Sequence, residues 1–258
     1  MPGYRTAACS PLAVKHFSAR HITAVHDKDF VRYLQTVCTS LGEEEAVYPY
    51  VFPVRNASRP PTDRPTRAGY YCIDTFTPLT RNAFVAATRA VDCALTAAAR
   101  LLGGQRAPYA LVRPPGHHAE RRLFGGFCYF NNSAVAAHYL SATGKVAVLD
   151  IDYHHGNGTQ EIFYQRPDVL TVSIHGHPRF AYPYFSGFAE ERERPRGRAS
   201  ISICRFPNTS TPSDIGSLTE GRAPHRPFSS GILVIALGFD TGRGDSTGTW
   251  PSGPKISR

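Results

Sequence analysis

The stretch Lys145-Val-Ala-Val-Leu-Asp-Ile-Asp-Tyr-His-His-Gly-Asn-Gly158 joins a continuous apolar run directly to a cluster of acidic and imidazole side chains. The apolar part, residues 145–151, does not alternate with polar residues, so it predicts a strand that is buried on both faces. Residues 168–174 and 232–237 have the same continuous pattern. Strands of this kind belong in the middle of a parallel sheet covered by helices. The sequence therefore predicts an α/β domain around a mostly parallel sheet.

Helical patterns lie between the predicted strands. In residues 81–102 apolar side chains recur at helical spacing, and Gly103 follows as a stop signal. We also predict a helix over about residues 132–140 and another from about residue 158 to residue 164. Because strands and helices alternate, the expected architecture is a three-layer α/β domain.

Other segments are less regular. Residues 109–112 and 199–204 each predict a short strand, and the first of these ends just before two prolines. Residues from about 49 to 67 are rich in proline and arginine and predict a loop. Residues from about 190 to 230 are rich in proline, arginine, serine and glycine, so apart from the short strand they predict little regular structure.

Length and composition fit one globular domain. The chain has 258 residues, of which 41% are hydrophobic and 19% are charged, which is ordinary for a folded protein. We expect a single domain over residues 20–250, with irregular tails at residues 1–19 and 251–258. No apolar run is long enough for a membrane span, and the amino-terminal residues do not resemble a secretory signal.

The charge and the cysteine content limit the expected binding partners and the expected cellular compartment. The net charge is +9, but the arginines are spread along the chain, and the dense cluster at residues 192–198 has the composition of a solvated loop. We therefore expect no specific nucleic-acid partner and no membrane. The 6 cysteines include no Cys-x-x-Cys pair, which is typical of reduced thiols inside a cell. The expected location is the cytoplasm, with the nucleus as the alternative, and a homo-oligomer is compatible with the sequence.

Polar clusters follow three of the predicted strands at the point where each strand ends. In open α/β sheets, ligands bind beyond the carboxyl ends of the strands. The sequence therefore predicts one site at one edge of the sheet. In chain order its residues are His117 and His118, then Asp150, Asp152 and His154, then Asp240.

The Asp-x-Asp-x-His pattern suits a metal ion. In an extended chain alternate residues point the same way, so Asp152 and His154 can face one point with Asp150 behind them. Asp240 as a third ligand would complete a set of two carboxylates and one imidazole with an open position, which is the pattern of a catalytic zinc site. The same ligands suit Fe(II) or Co(II). The alternatives are a polar strand end without metal and, for the two adjacent histidines, a hydrogen-bonded turn.

Four long motifs resemble those of the histone deacetylase superfamily, and the match covers most of residues 20–190 and 231–250. Further runs resemble most closely its bacterial-type acetylpolyamine amidohydrolase branch: Gly69-Tyr-Tyr-Cys-Ile-Asp-Thr75, Asn157-Gly-Thr-Gln-Glu-Ile-Phe-Tyr164 and Ser173-Ile-His-Gly-His-Pro178. The four main motifs are Arg113-Pro-Pro-Gly-His-His-Ala119, Gly125-Gly-Phe-Cys-Tyr-Phe-Asn-Asn132, Val148-Leu-Asp-Ile-Asp-Tyr-His-His-Gly-Asn-Gly-Thr159 and Leu237-Gly-Phe-Asp-Thr241.

The resemblance implies an arginase/deacetylase-like fold and a zinc-dependent amidohydrolase. Its substrates would be acetylated polyamines or acetyl-lysine-like amines, and its products acetate and a free amine. Zinc would lie on Asp152, His154 and Asp240. His118 would act as the main general base and later as the acid, while His117 would assist electrostatically.

Two further residues would hold these histidines in place. By the same resemblance, Asp150 would orient His117 and Asn157 would face His118. Many relatives carry aspartate at the position of Asn157, whereas the polyamine-like branch carries asparagine. Because an asparagine adds no negative charge, it should raise the basicity of His118 less than an aspartate would.

The resemblance also implies substrate contacts and a second ion. Phe127 and Tyr182 match two aromatic walls of a narrow acyl-lysine tunnel, although ordinary core packing is the alternative. Gly126 would offer its carbonyl group to the substrate amide. Asp74 matches a rim position of the kind that recognises polyamine cations. Ser173, with the backbone of residues 150–154, matches a structural potassium site.

The sequence departs from the family's pattern at its carboxyl end. The family's oxyanion-binding tyrosine lies in a Gly-Gly-Tyr motif beyond the Asp240 region, and no such motif occurs before Arg258. Family-like sequence also begins only near His21. We therefore expect a partial domain, incomplete at the carboxyl end, and the loss of one oxyanion donor typically lowers the rate about 10²–10³-fold. The alternative function is a weak or inactive relative that binds zinc and acyl-lysine without efficient hydrolysis.

Overall fold

The computed structural model describes residues 10–54, 59–188, 190–191, 200–206 and 228–241. The predicted arginine-rich loop at residues 192–198 and the carboxyl-terminal tail lie outside these residues. The helices are α1 (Arg20–Thr23), α2 (Lys28–Ser40), α3 (Arg64–Tyr70), α4 (Ala83–Leu102), α5 (Asn132–Leu140) and α6 (Asn157–Phe163). The strands are β1 (Ala46–Val47), β2 (Leu79–Thr80), β3 (Val146–Asp150), β4 (Val169–Gly176), β5 (Ser200–Phe206) and β6 (Ile232–Ala236).

A parallel sheet in the order β5-β4-β3-β6 forms the centre of the fold, while β1 and β2 make a separate antiparallel pair. Within the sheet, Asp150 of β3 is in register with Ser173 of β4 and Ala236 of β6. The predicted parallel sheet and its strands β3, β4, β5 and β6 are confirmed. Because all strands of this sheet run the same way, their carboxyl ends meet at one edge.

One face of the sheet packs against helices. Val146 and Val148 of β3 are 0% and 1% exposed, since α5 lies on β3 and β6 and α4 packs on α5. The other face of β6 carries Leu233 and Ile235, which are 53% and 52% exposed. The main core of the described residues therefore lies between the sheet and these helices.

The three predicted helices are confirmed as α4, α5 and α6. Asn131 starts α5, because its side-chain oxygen accepts a hydrogen bond from the Ala134 N–H group at 2.9 Å. The predicted stop after α4 is also correct, since Gly103 caps its carboxyl end.

Helix α2 has no counterpart among the sequence predictions. Its start is fixed by Asp27, whose carboxylate accepts hydrogen bonds from the N–H groups of Asp29 and Phe30. One side of the helix packs into the core through residues at helical spacing, namely Phe30, Val31, Leu34, Val37 and Cys38. The pattern is as regular as that of α4, so the sequence does contain the signal for this helix.

Two predictions about local structure are wrong. Residues 64–67 belong to α3 and not to a loop, because Asp63 caps the helix by accepting from the Thr66 N–H group at 3.2 Å. Residues 109–112 form no strand. Tyr109 and Leu111 are 59% and 79% exposed, so this short apolar run is not a buried strand of the sheet.

The described part of the amino-terminal tail is irregular but docked. The backbone N–H groups of Lys15 and Phe17 donate to side chains of Thr96 and Asp92 on α4, each at 3.0 Å. These bonds tie residues 10–19 to the core. None of the helices in the described part of the chain combines the length and apolar character that crossing a membrane requires.

The His26 side chain links its own segment of the chain to the segments that contain Glu120 and Asn131. Its Nδ1 lies 2.8 Å from the Glu120 backbone oxygen, and its Nε2 accepts a hydrogen bond from the Asn131 N–H group at 2.9 Å. A carbonyl oxygen accepts and a backbone N–H group donates, so only the neutral ring with its proton on Nδ1 satisfies both partners. Burial lowers the pKa of His26 to about 4.

We expect the free energy of unfolding to fall as the pH drops from about 6.5, the ordinary pKa of histidine, towards the folded pKa of about 4. In that window the unfolded chain binds a proton that folded His26 does not, and the full effect is about 3 kcal/mol. Urea unfolding at several pH values should show a steeper fall in the parent protein than in His26→Gln, which lacks this contribution. His16→Gln is the matched control, and an equal slope in all three proteins would contradict the prediction.

Candidate metal centre and active site

The turn after β3 brings acidic and imidazole groups to the carboxyl edge of the sheet. The Asp152 N–H group donates to Asp150 Oδ1 at 3.2 Å, and the His154 N–H group donates to Asp152 Oδ1 at 2.8 Å. These bonds fold residues 152–154 into bends rather than an extended strand. The side chains of Asp152 and His154 therefore meet through a turn, whereas the sequence analysis expected them to align by strand alternation.

Three predicted ligands converge at this edge. One possible ligand atom from each of Asp152, His154 and Asp240 lies within 4.8 Å of the other two. His154 Nδ1 is 2.8 Å from Asp240 Oδ2 and 3.3 Å from Asp152 Oδ1. The Tyr153 N–H group donates to Asp240 Oδ1 at 3.0 Å, which ties the chain after β6 to the turn after β3.

Gly238 leaves room for this cluster. A Cβ atom at residue 238 would lie 1.9 Å from Asp152 Oδ2 and 2.8 Å from Asp240 Oδ1. Any side chain there would push the two carboxylates out of place. Only glycine therefore allows the chain after β6 to approach the turn after β3 so closely.

The electrostatics of the cluster favour a cation. Burial lowers the pKa of His154, but its hydrogen bonds to Asp152 and Asp240 outweigh burial and raise that pKa to about 9. The pKa of Asp152 is well below its usual range, because the neighbouring imidazoles outweigh the effect of burial. A half-buried pocket with two carboxylates and one imidazole has the donor set of a zinc site with an open position, so these residues fit the predicted ion.

His117 pairs with a carboxylate. Its Nδ1 lies 2.9 Å from Asp150 Oδ2, and its Nε2 lies 3.9 Å from Asp152 Oδ1 at the metal cluster. Burial lowers the pKa of His117, but the charges of Asp150 and Asp152 outweigh it and raise the pKa to about 9. His117 therefore favours the charged imidazolium form.

His118 pairs with a neutral amide. Its Nδ1 lies 2.8 Å from Asn157 Oδ1, and its ring centre is 4.0 Å from that of His117. Burial, together with the charge of His117, holds the pKa of His118 well below its usual value. Burial and neighbouring charges thus shift the pKa values of the two histidines in opposite directions, and both pairings are those that the family resemblance implies.

Hydrogen bonds from neighbouring elements hold the loop that carries these histidines. The Thr159 N–H group of α6 donates to the His117 backbone oxygen at 3.1 Å. The Asn131 side chain donates to the Ala119 backbone oxygen and to Thr159 Oγ1, each at 3.1 Å. The starts of α5 and α6 therefore place the tandem histidines, and no strand leads into them.

Aromatic rings line the approach to the histidines. The Tyr182 ring stands edge-on to the His118 ring, with centres 4.7 Å apart. Phe127 is 54% exposed and has an unusual φ of 62°. Phe76 links the two walls, with its ring centre 5.5 Å from that of Phe127 and 5.7 Å from that of Tyr182. Phe76 was missed because a single aromatic residue in a loop carries no periodic signal.

Gly126 lies between the aromatic walls and the histidines. A Cβ atom there would lie 2.2 Å from His118 Cδ2, so the imidazole packs directly on this backbone. The Gly126 carbonyl oxygen has a weak donor, Cys128 Sγ, at 3.3 Å. Its predicted contact with a substrate amide stays a prediction.

The expectation that Asp74 lies at the rim and binds a polyamine cation is wrong. Asp74 is 7% exposed. Its Oδ2 accepts hydrogen bonds from the Gly126 N–H group at 2.6 Å and the Tyr182 hydroxyl at 2.9 Å. Its other bonds come from Phe76 and Thr77. Asp74 therefore fixes the aromatic walls from behind and has no free oxygen to offer a cation.

The Tyr182 hydroxyl is occupied by this bond to Asp74 and is therefore not free to bind an oxyanion. Ser173 is buried at the start of a different network. Its Oγ lies 2.8 Å from His175 Nδ1 and 3.1 Å from His155 Nδ1. The potassium ion expected near Ser173 stays a prediction.

Comparison with known proteins extends these observations. Residues 3–255 match the family described as the histone deacetylase domain, a wider range than the motifs alone cover. Acetylpolyamine amidohydrolase 2 of Pseudomonas aeruginosa is 38% identical over an alignment of 242 residues, which covers 90% of this chain and 70% of that protein. The acetylpolyamine amidohydrolase of Mycoplana ramosa is 38% identical over 236 residues, covering 86% of this chain and 69% of that protein.

A solved structure shows the same architecture. The crystal structure of an acetylpolyamine aminohydrolase from Burkholderia pseudomallei superposes with a TM-score of 0.79 at 38% identity, covering 93% of this chain and 71% of that one. The predicted arginase/deacetylase-like fold is therefore confirmed. With its sequence match over nearly the whole chain, this protein belongs to the histone deacetylase family.

Proposed function

We propose that this protein is a zinc-dependent amidohydrolase that removes the acetyl group from acetylated polyamines or other small acetylated amines. The observation that carries the proposal is the pair of tandem histidines, whose Nδ1 atoms face Asp150 Oδ2 and Asn157 Oδ1, beside the convergent Asp152, His154 and Asp240. Relatives named acetylpolyamine amidohydrolases support the choice of substrate class. Acetyl-lysine in a peptide is the second substrate within the same chemistry.

Asp152, His154 and Asp240 would hold the metal. Zinc suits one imidazole and two carboxylates, although Fe(II) and Co(II) accept the same ligands. When bound, the ion would supply a Lewis acid for the acetyl carbonyl and lower the pKa of a water molecule. Gly238 keeps the space between the carboxylates clear of a side chain.

The histidines would move the proton. His118 is neutral in its buried setting, so its Nε2 can accept a proton from the attacking water and later return it to the leaving amine. His117, charged beside Asp150, would stabilise the negative charge that develops on the carbonyl oxygen. Tyr182, Phe127 and Phe76 would hold the apolar stem of the substrate and exclude water.

A second function, binding of acyl-lysine without efficient hydrolysis, rests on one specific observation. The Tyr182 ring packs edge-on against His118, but its hydroxyl donates to Asp74 and is therefore not free to bind an oxyanion. A site with metal and base but without this donor would turn over slowly. The two functions differ in turnover and not in binding.

The domain boundary and the compartment are proposals of the same kind. We place a single domain at residues 20–250. Residues 10–19, although docked on α4, add no regular element. The cysteines that the structure describes as free thiols support an intracellular setting, preferably the cytoplasm; they are Cys38, Cys72, Cys93 and Cys128.

Turnover of N-acetylputrescine and of an acetyl-lysine peptide by zinc-loaded protein tests the proposal. We expect acetate release from both, with the larger kcat/KM for N-acetylputrescine. Binding of a hydroxamate without any acetate release would support the second function. No binding and no turnover with zinc loaded would overturn both.

A further inference from the structure

Glu120 lies on the far side of Asn157 from His118. The Asn157 amide uses both ends: its Oδ1 lies 2.8 Å from His118 Nδ1, and its Nδ2 donates to Glu120 Oε1 at 2.8 Å. A longer bond of 3.4 Å runs from Nδ2 to the His118 backbone oxygen. The three side chains therefore form a row that leads away from the active site.

The direction of the amide follows from the chemistry of the carboxylate. An ionised carboxylate only accepts hydrogen bonds, so Glu120 requires the NH₂ end of Asn157 to face it. The oxygen end of Asn157 must then face His118. That oxygen also only accepts, so His118 must carry its proton on Nδ1, and Nε2 is left free as an acceptor.

Without Glu120 the preference for this direction of the Asn157 amide would be weak. A side-chain amide can turn over and present its NH₂ group to His118, which would favour the tautomer with the proton on Nε2. In that tautomer the nitrogen that faces the site cannot accept a proton. The weak bond to the His118 backbone oxygen would be the only other contact described here that favours the observed amide direction.

The surroundings of Glu120 separate it from the substrate side. It borders a cavity of about 790 Å³ that is also lined by Asn157, Glu161 and Arg166, on the other side of Asn157 from His118. Burial, helped by the charge of Glu161, raises the pKa of Glu120 to about 7. The Glu161 carboxylate accepts instead from the Arg121 N–H group at 2.9 Å.

We propose that Glu120 is a positioning residue that fixes the direction of the Asn157 amide and thereby the tautomer in which His118 can act as a base. The proposal rests on the hydrolase function proposed above. Glu120 acts through Asn157 and touches neither substrate nor metal. The carboxylate that Asn157 lacks is thus supplied one hydrogen bond further from the histidine.

The first test compares Glu120→Leu with Glu161→Leu, which removes a carboxylate from the same cavity wall without touching Asn157. At a pH well above the pKa of Glu120, we expect Glu120→Leu to lower kcat about 10-fold with KM nearly unchanged, as for other residues that orient a catalytic group. Glu161→Leu should change kcat less than about twofold. Glu120→Gln keeps the size of the side chain and should lose less than Glu120→Leu, because its amide can still accept from Asn157.

A second substitution separates positioning from a contribution to stability. In an Asn157→Asp background, the residue facing His118 accepts whichever way it turns, so it needs no partner to orient it. Glu120→Leu should then cost nothing or increase kcat, since it also removes a repulsive carboxylate. An equal loss of kcat in both backgrounds would overturn the proposal.

The tautomer can be read without turnover. Ring ¹⁵N chemical shifts of His118 in zinc-loaded protein should show the proton on Nδ1 in the parent and a mixture of tautomers in Glu120→Leu. An unchanged His118 tautomer in that variant would overturn the proposal even if activity fell. Absence of turnover in the parent would count against the proposed hydrolase function, while the ¹⁵N shifts would still decide the role of Glu120.

Discussion

Replacing Asp152 with asparagine should remove most of the zinc from the purified protein and, with it, nearly all amidohydrolase activity. Asp152 supplies one of the two carboxylates that converge on His154, and an amide oxygen carries no charge to hold a divalent cation. The metal affinity should fall by more than the roughly 10–100-fold that outer partners of metal ligands typically contribute. Metal analysis after gel filtration gives the zinc content per chain.

The loss of activity should be larger than the loss expected from any other single substitution considered above. Metal-ion catalysis stabilises a transition state by several kcal/mol, so kcat/KM for N-acetylputrescine should fall at least about 10³-fold. Asp240→Asn should behave in the same way, because its Oδ2 lies 2.8 Å from His154 Nδ1.

Asp168→Asn is the matched control for both substitutions. Asp168 directly precedes β4, at the opposite edge of the sheet, and it pairs with Arg166 on the surface. This variant should keep the zinc content and kcat/KM of the parent. If both Asp152→Asn and Asp240→Asn retained all of the zinc of the parent, the metal site would have to lie elsewhere.

The position of the candidate site could be predicted because its signal is local. A continuous apolar run followed at once by acidic and imidazole residues marks a buried strand and its carboxyl end, and parallel packing forces several such ends to one edge. Strand alternation, the predicted reason why Asp152 and His154 converge, was nevertheless not the correct one. Asp152 and His154 meet through backbone bonds to the preceding carboxylates, and such turn geometry leaves no periodic trace in the sequence.

The role of Asp74 could not be predicted from the sequence in the same way. Its position in a family-like run suggested a rim residue. Its role depends instead on contacts with Gly126 and Tyr182, which lie 52 and 108 positions further along the chain. Those contacts exist only in the fold. A carboxylate that accepts several internal bonds cannot also serve a ligand, and only burial reveals which of the two applies.

The wrong prediction of a strand at residues 109–112 has a related cause. An apolar run of four residues is too short to predict a buried strand by itself, and here Leu111 is 79% exposed. Conversely, α2 has a clear cap and apolar stripe, but it precedes the strand–helix alternation on which the predicted helices rest. Local pattern therefore predicted the elements around β3 well and the peripheral ones poorly.

Replacing His118 with glutamine should lower kcat about 10²–10⁴-fold while the zinc content stays that of the parent, which is the usual cost of losing a general base. His118 is suited to this role because burial and the charge of His117 lower its pKa, whereas the charges of Asp150 and Asp152 outweigh burial and raise the pKa of His117. His117→Gln should therefore cost less than His118→Gln, since it removes a stabilising charge but leaves the base.

The comparison of the two variants decides between the assigned roles. His138→Gln, which changes a partly buried histidine on α5 that bonds to Arg166, serves as the control and should leave kcat unchanged. A larger loss in His117→Gln than in His118→Gln would exchange the roles of the two histidines. Equal and small losses in both variants would mean that neither histidine transfers the proton. The neutral imidazole that these hydrogen-bond partners favour would then not be the base.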